Sequence, residues 1–137
     1  MYDKVIVDGV LQARQSVAIA TANVKNMYVE GTSGYASILK GFERLCLDGV
    51  DIRILHSGVP SGHFLQEIKN SLLLTMPKFT MRRCPRVHFK VIVIDEALAY
   101  LGSSNLTGAG IGAKGEHRRN FENGILTRDP DAIDTLL

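Results

Sequence analysis

The sequence predicts an α/β fold, a mixed β-sheet flanked by helices, and three observations carry that prediction. Amphipathic stretches of helical period alternate with short buried apolar runs, the pattern of a layered α/β domain. Two neighbouring runs, ending at Ile94 and starting at Leu98, are separated by Asp95-Glu96, which reads as a tight hairpin and argues against a purely parallel sheet. The 137 residues are 45% hydrophobic and 22% charged. That is enough for one domain, residues 1–137, with a sizeable core, and it is not the makeup of a disordered chain.

The elements follow in order. Asp3 to Gln15 is expected to be a helix, with Val5, Ile6, Gly9, Val10 and Ala13 on one face and Gly9 weakening it. Ser16 to Thr21 (SVAIAT) reads as a buried strand and Ala22 to Gly34 as a loop with some local structure. Tyr35 to Leu47 carries Ile38, Leu39, Phe42, Leu45 and Cys46 on one side of a helix, which Asp48-Gly49 ends. Asp51 to Leu55 (DIRIL) is the next strand, and HSGVPSG from His56 to Gly62 a loop of turn formers. Phe64 to Leu74 presents a stripe of Phe64, Leu65, Ile68, Leu72 and Leu73, broken near Pro77. Phe79 to Arg83 is a short strand. Val87 to Ile94 is the strongest strand, and Leu98 to Leu101 its partner. Gly102 to Gly115 holds five glycines in 14 residues and reads as a loop near a site. Phe121 to Thr127 is a strand, and Asp129-Pro130 initiates a final helix.

Composition narrows the function classes. The N-terminus, MYDKVIVDGV, carries two acids in its first eight residues and no long apolar core, so no signal peptide is expected. No 18-residue apolar run is present, so no stable membrane insertion is expected, and a cytoplasmic location fits. Cys46, in the apolar stretch FERLCL, reads as a buried thiol, and Cys84 sits beside Pro85; neither demands a disulfide. No CxxC or HExxH is present, so neither a metal nor another cofactor is expected. The chain ends in DAIDTLL, a helix cut short, which leaves open a truncated C-terminus and further domains of a longer parent protein.

The charge is uneven. The net charge is +2, yet Lys69 to Arg119 holds nine Lys or Arg and three Asp or Glu. That half is suited to attract an anion. Within it runs HFKVIVIDEALAYLGSSN, from His88 to Asn105. On a strand, His88 and Lys90 point to one face, and Phe89, Val91 and Val93 to the other, so alternation is expected to separate reactive side chains from core. Imidazole carries a neutral lone pair near pH 7 and can attack phosphorus. Lys90 can hold a non-bridging oxygen and stabilise charge in the transition state. Ser103 and Asn105 can donate to phosphate oxygens, with Gly102 allowing close backbone approach. Asp95 either holds the turn or pairs with a nearby donor.

His88-x-Lys90-x4-Asp95-x6-Gly102-Ser103-x-Asn105 resembles the HKD signature of the phospholipase D superfamily, unbroken. Asn120-Phe121-Glu122-Asn123 resembles the family's Asn-x-Glu-Asn continuation, and the opening helix and SVAIAT strand resemble the start of such a domain. The resemblance implies a phospholipase D-like mixed sheet and a metal-independent phosphodiesterase. It makes His88 the nucleophile or the general acid, and Lys90 and Asn105 phosphate-binding residues. It makes Ser103 an orienting residue and Glu122 a carboxylate that orients the histidine. Asp95 then has a role more structural than chemical.

The family's complete site uses two such motifs, and this chain has one; His56, His63 and His117 begin no His-x-Lys. The resemblance is therefore to the single-motif branch, whose members pair as homodimers so that two motifs face each other. A fragment lacking a second motif is the other reading. Arg82, Arg83 and Arg86 precede the motif, and Lys114, Arg118 and Arg119 follow it. Flanking one cleft, they would contact several phosphates of a nucleic acid, which favours a nuclease. A noncatalytic nucleic-acid-binding or targeting module, and a phospholipase D-type lipid phosphodiesterase, are the alternatives.

Overall fold

The computed structural model describes residues 3–23, 28–31, 34–88, 90–102 and 124–137. Six strands form one sheet: β1 (Ser16–Thr21), β4 (Asp51–His56), β5 (Phe79–Arg83), β6 (Lys90–Ile94), β7 (Leu98–Gly102) and β8 (Gly124–Thr127), in the order β5-β4-β1-β6-β7-β8. β1 pairs with β4, and β4 with β5, in parallel. The other three pairings, β1 with β6, β6 with β7 and β7 with β8, are antiparallel. The mixed sheet expected from the hairpin is present. β1 is the junction between its parallel and antiparallel halves.

The hairpin turns as its sequence requires. Asp95 and Glu96 both have φ of 53°, and the Ala97 N–H donates to the Ile94 carbonyl at 3.0 Å. Two successive left-handed residues match the twist of an antiparallel pair, and Asp tolerates that region better than most side chains.

Three α-helices among the described residues follow from local signals. α1 (Ile38–Leu47) starts where the Ser37 hydroxyl accepts from the Leu39 N–H at 3.1 Å, and stops before Gly49, whose φ is +89°. α2 (Gly62–Asn70) is capped by Ser61, which accepts from the Phe64 N–H at 3.2 Å. α3 (Pro130–Leu136) has Asp129 as its cap and proline in its first turn.

Both faces of the sheet are covered, unequally. Val17, Ile19, Ile52, Ile54, Ile92 and Ile94 face the larger core, with Phe42 of α1, Phe64 and Ile68 of α2, and the N-terminal Val5, Ile6 and Val10. The Phe42 and Phe79 rings meet there, 6.5 Å apart. On the opposite face Val91, Val93 and Ala99 pack against Ile133 of α3 in a smaller cluster. Cys46 is in the larger core. Burial, and to a lesser degree the Asp51 charge, pushes its thiol up from the usual range.

Several expectations are corrected. The N-terminal segment is not one helix: a π-helical turn over Asp3–Val7 and a 3-10 turn over Val10–Gln12 are separated at Gly9, where helix propensity is lowest. The expected loop and the first three residues of the expected helix hold the hairpin β2 (Tyr28–Gly31) and β3 (Gly34–Ser37), so α1 starts at Ile38 rather than Tyr35. α2 stops at Asn70, because the Ser71 hydroxyl donates back to the Ile68 carbonyl at 2.7 Å. Leu72, Leu73 and Leu74 lie beyond the helix; Leu73 is buried, while Leu72 and Leu74 are exposed. β6 starts at Lys90 rather than Val87, because Cys84 to Val87 form a turn with Pro85 second, closed by the Val87 N–H on the Cys84 carbonyl. No helix among the described residues is long and apolar enough to cross a membrane.

Candidate active site

The strand register assembles a row of residues across the sheet. Thr21 pairs with His56, and His56 with Arg83. Ala20 pairs with Val91, so the next step sets Thr21 beside Lys90. Lys90 pairs with Gly102, and Gly102 with Gly124. All six strands thus contribute one residue: Arg83, His56, Thr21, Lys90, Gly102 and Gly124. The row lies where β1, β4 and β5 end, the usual mouth of an open α/β sheet.

Each member of the row is an even number of positions from a residue of the larger core, so the row points toward that face. This corrects the expected partition along β6. Lys90 shares its side with Ile92 and Ile94 of the larger core, while Val91 and Val93 face the smaller one. The strand is buried on both faces, and Lys90 is at the open end of the core side rather than on a separate surface. Phe89 lies outside the described residues.

His88 is exposed and precedes β6 by two positions. Lys90 is half-buried, and its ammonium donates to the His88 carbonyl at 3.3 Å. That contact draws the lysine head toward the backbone that carries the imidazole. Asp95 is at the other end of β6, about 17 Å from Lys90 along an extended strand. Its carboxylate accepts from the backbone N–H groups of Arg14, Gln15 and Ser16 at 2.7 to 3.1 Å. It pins the start of β1 to the β6–β7 turn and does not join the row.

Two members of the row, Thr21 and His56, carried no chemical role in the sequence reading. Both are buried polar side chains, at 1% and 5% exposure. The His56 Nδ1 is 2.9 Å from the Gly58 carbonyl, a contact in which Nδ1 must carry the proton. A signal was present: SVAIAT and DIRILH each end on a polar residue in the buried phase of their alternation.

The chain beyond His56 is stitched to both neighbours. The Ser57 N–H donates to the Thr21 carbonyl at 3.3 Å, the Gly58 N–H to Ala22 at 2.8 Å, and the Cys84 N–H to His56 at 2.7 Å. A Cβ on Gly58 would lie 3.0 Å from the Ala22 carbonyl oxygen, so glycine permits the approach. Arg83 joins this network, its Nε donating to the Ser57 carbonyl at 3.1 Å. Arg82 points the other way. It lines a groove of about 740 Å³ on the opposite face, with Ala18, Ala20, Arg53 and Leu55. Arg86 is exposed in the turn before Val87. Ser103, Asn105, Lys114, Arg118, Arg119 and Glu122 lie outside the described residues. Among the described residues no three His, Cys, Asp or Glu are grouped to hold a metal ion.

A family model described as "Cardiolipin synthase, PLD-like domain" matches residues 6–137. The chain belongs to the phospholipase D-like family. Its fold is that of solved family structures. It superimposes on Nuc from Salmonella typhimurium, described as a phospholipase D family member, with a TM-score of 0.65 and 20% identity, over 97% of this chain and 80% of that one. NucT from Helicobacter pylori gives 0.62 and 18%, over 95% and 79%. TrmBL2, described as an archaeal chromatin protein with a novel mode of DNA binding, gives 0.55 and 13%, over 91% and 41%. No curated protein matches the chain. Within this phospholipase D-like sheet, His88 and Lys90 lie at the start of β6, and Asp95 closes its far end.

Proposed function

We infer that the protein is a phosphodiesterase that cleaves nucleic acid through a covalent phosphohistidine, with its site completed by a second copy of the chain. The observation that carries this reading is the open end of β6. The exposed His88 is followed two positions on by the half-buried Lys90, whose ammonium meets the His88 carbonyl, and Lys90 shares its row with Thr21, His56 and Arg83 in a phospholipase D-like sheet.

His88 attacks phosphorus, a P–N bond forms, and the P–O bond to the leaving alcohol breaks. The His88 of the second copy gives its proton to that oxygen. Water then attacks the phosphohistidine, the P–N bond breaks, and the second imidazole takes the proton from the water. Dividing the displacement in two lowers each barrier. Lys90 holds the non-bridging oxygens throughout. Ser103, Asn105 and Glu122 take the binding and orienting roles that the motif assigns.

The test is turnover of a nitrophenyl diester, and of labelled single- and double-stranded DNA and RNA, in EDTA. Activity is expected from the wild-type dimer and is lost by about 10³-fold or more in His88→Asn, as when a nucleophile is removed. A confirmed dimer without turnover on any of these substrates would sink this reading. It would favour a noncatalytic nucleic-acid-binding module, a role compatible with the fold that TrmBL2 shares.

A further inference from the structure

Arg82 and Arg83 are adjacent in the sequence, and the sheet sends them to opposite sides. Arg83 is at the open end of the row, its Nε anchored on the Ser57 carbonyl at 3.1 Å. The anchor comes from Nε, so both terminal nitrogens of the guanidinium remain as donors, the pair suited to a phosphate. The anchoring carbonyl is itself fixed. Ser57 is held to Thr21, the next residue to Ala22, and the preceding carbonyl to Cys84. Arg82 faces the opposite groove with Arg53 and has no route to the row.

Three strand spacings separate Arg83 from Lys90, about 14 Å between backbones. Lys90 is drawn to its own local carbonyl, that of His88, and Arg83 to that of Ser57. A single phosphate held at His88 and Lys90 therefore lies away from the guanidinium, whereas a chain of phosphates crossing above Thr21 and His56 reaches both.

We propose that Arg83 is a substrate-binding residue for a phosphate distant from the scissile one, so that the site takes a polymer of phosphodiesters laid along the row from Lys90 to Arg83. This rests on the nucleic-acid reading above and adds the direction of the strand and the residue that grips it. Arg82 has no part in it.

The experiment is anisotropy of a labelled single-stranded oligonucleotide, against salt, on His88→Asn protein so that cleavage plays no part. Arg83→Ala is expected to weaken binding by roughly 5- to 20-fold, as for the loss of one partly screened, charge-assisted contact. It should also lower the slope of log K on log salt by about 0.7, the value for one phosphate contact on a single strand. Arg83→Lys restores part of the slope. Arg53→Ala, on the opposite face, is the control and leaves both quantities unchanged. Competition by inorganic phosphate, which occupies one position only, is the same in Arg83→Ala as in its parent.

Unchanged binding in Arg83→Ala would overturn this assignment and leave the nucleic-acid reading standing, as would an equal loss in Arg82→Ala or Arg53→Ala. Absence of oligonucleotide binding in every form would overturn both.

Discussion

At one end of β6 a carboxylate meets the N–H groups of three successive residues; at the other, among the described residues, an ammonium meets a single carbonyl. Both groups belong to one motif, six residues long from Lys90 to Asp95, and both are charged. The difference is in how fully the backbone satisfies them. Asp95 receives enough donors to be part of the scaffold. Lys90 keeps donor capacity that a bound anion can use. On the proposed function, the motif divides its labour along a strand, with architecture at the turn and chemistry at the mouth.

The comparison is broken most directly at the open end. Lys90→Met is expected to reduce diester turnover by about 10²–10³-fold, the range for removing one electrostatic stabiliser of a transition state. The far-ultraviolet spectrum and the unfolding midpoint should hardly change. Turnover within threefold of wild type would refute the assignment of Lys90 to the chemistry.

The closed end should behave inversely. Asp95→Ala leaves partly exposed backbone donors without their acceptor and is expected to lower stability by about 1–3 kcal/mol in urea unfolding. Under conditions where the variant is fully folded, its turnover should stay near that of wild type. A large loss of turnover with stability intact would move Asp95 from the scaffold into the reaction.

The smallest effect sharpens the account of the turn. Glu96 is held at φ 53°, where an L side chain costs ~1–2 kcal/mol. Glu96→Gly removes that strain but adds chain entropy, for a net gain of about 0.5–1 kcal/mol in stability. A loss of stability would show that the Glu96 side chain, rather than the backbone angle, matters there.

What the sequence disclosed follows from whether a signal was local. SVAIAT, DIRIL and KVIVI carry β-branched residues in short apolar runs, and their strands were legible. Gly49 and Pro130 marked helix ends because capping is decided within a few residues. The β2–β3 hairpin was missed because its pairing, Tyr28 with Ser37, ends directly before a good helical stripe, and the expected helix was extended back over it to Tyr35. The two-sided burial of β6 was missed for a different reason. Alternation tells which residues share a side, not whether α3 will cover the other one. At the site, the motif singled out His88, Lys90 and Asp95, and the structure sets the first two at one end of β6 and the third at the other. The row of Thr21, His56 and Arg83 needed the register between strands that are distant in sequence, whereas alternation along β5 is enough to separate Arg83 from Arg82.

The Asp95 clasp has a consequence for how this chain comes into being. Its bonds join residues 79 to 81 positions apart. Closing a loop of that length costs on the order of 4 kcal/mol from the logarithmic term alone. No contact within the hairpin itself meets that cost. As the polypeptide leaves the ribosome, β1, β4 and β5 are available to one another well before Asp95 emerges, and α1 and α2 with them. The clasp can close only on that earlier-made half, and it brings β6 to β1 as it does so. The geometry that orders the reactive end is thus among the last parts of the fold to be gathered, and an incomplete nascent chain carries no assembled row.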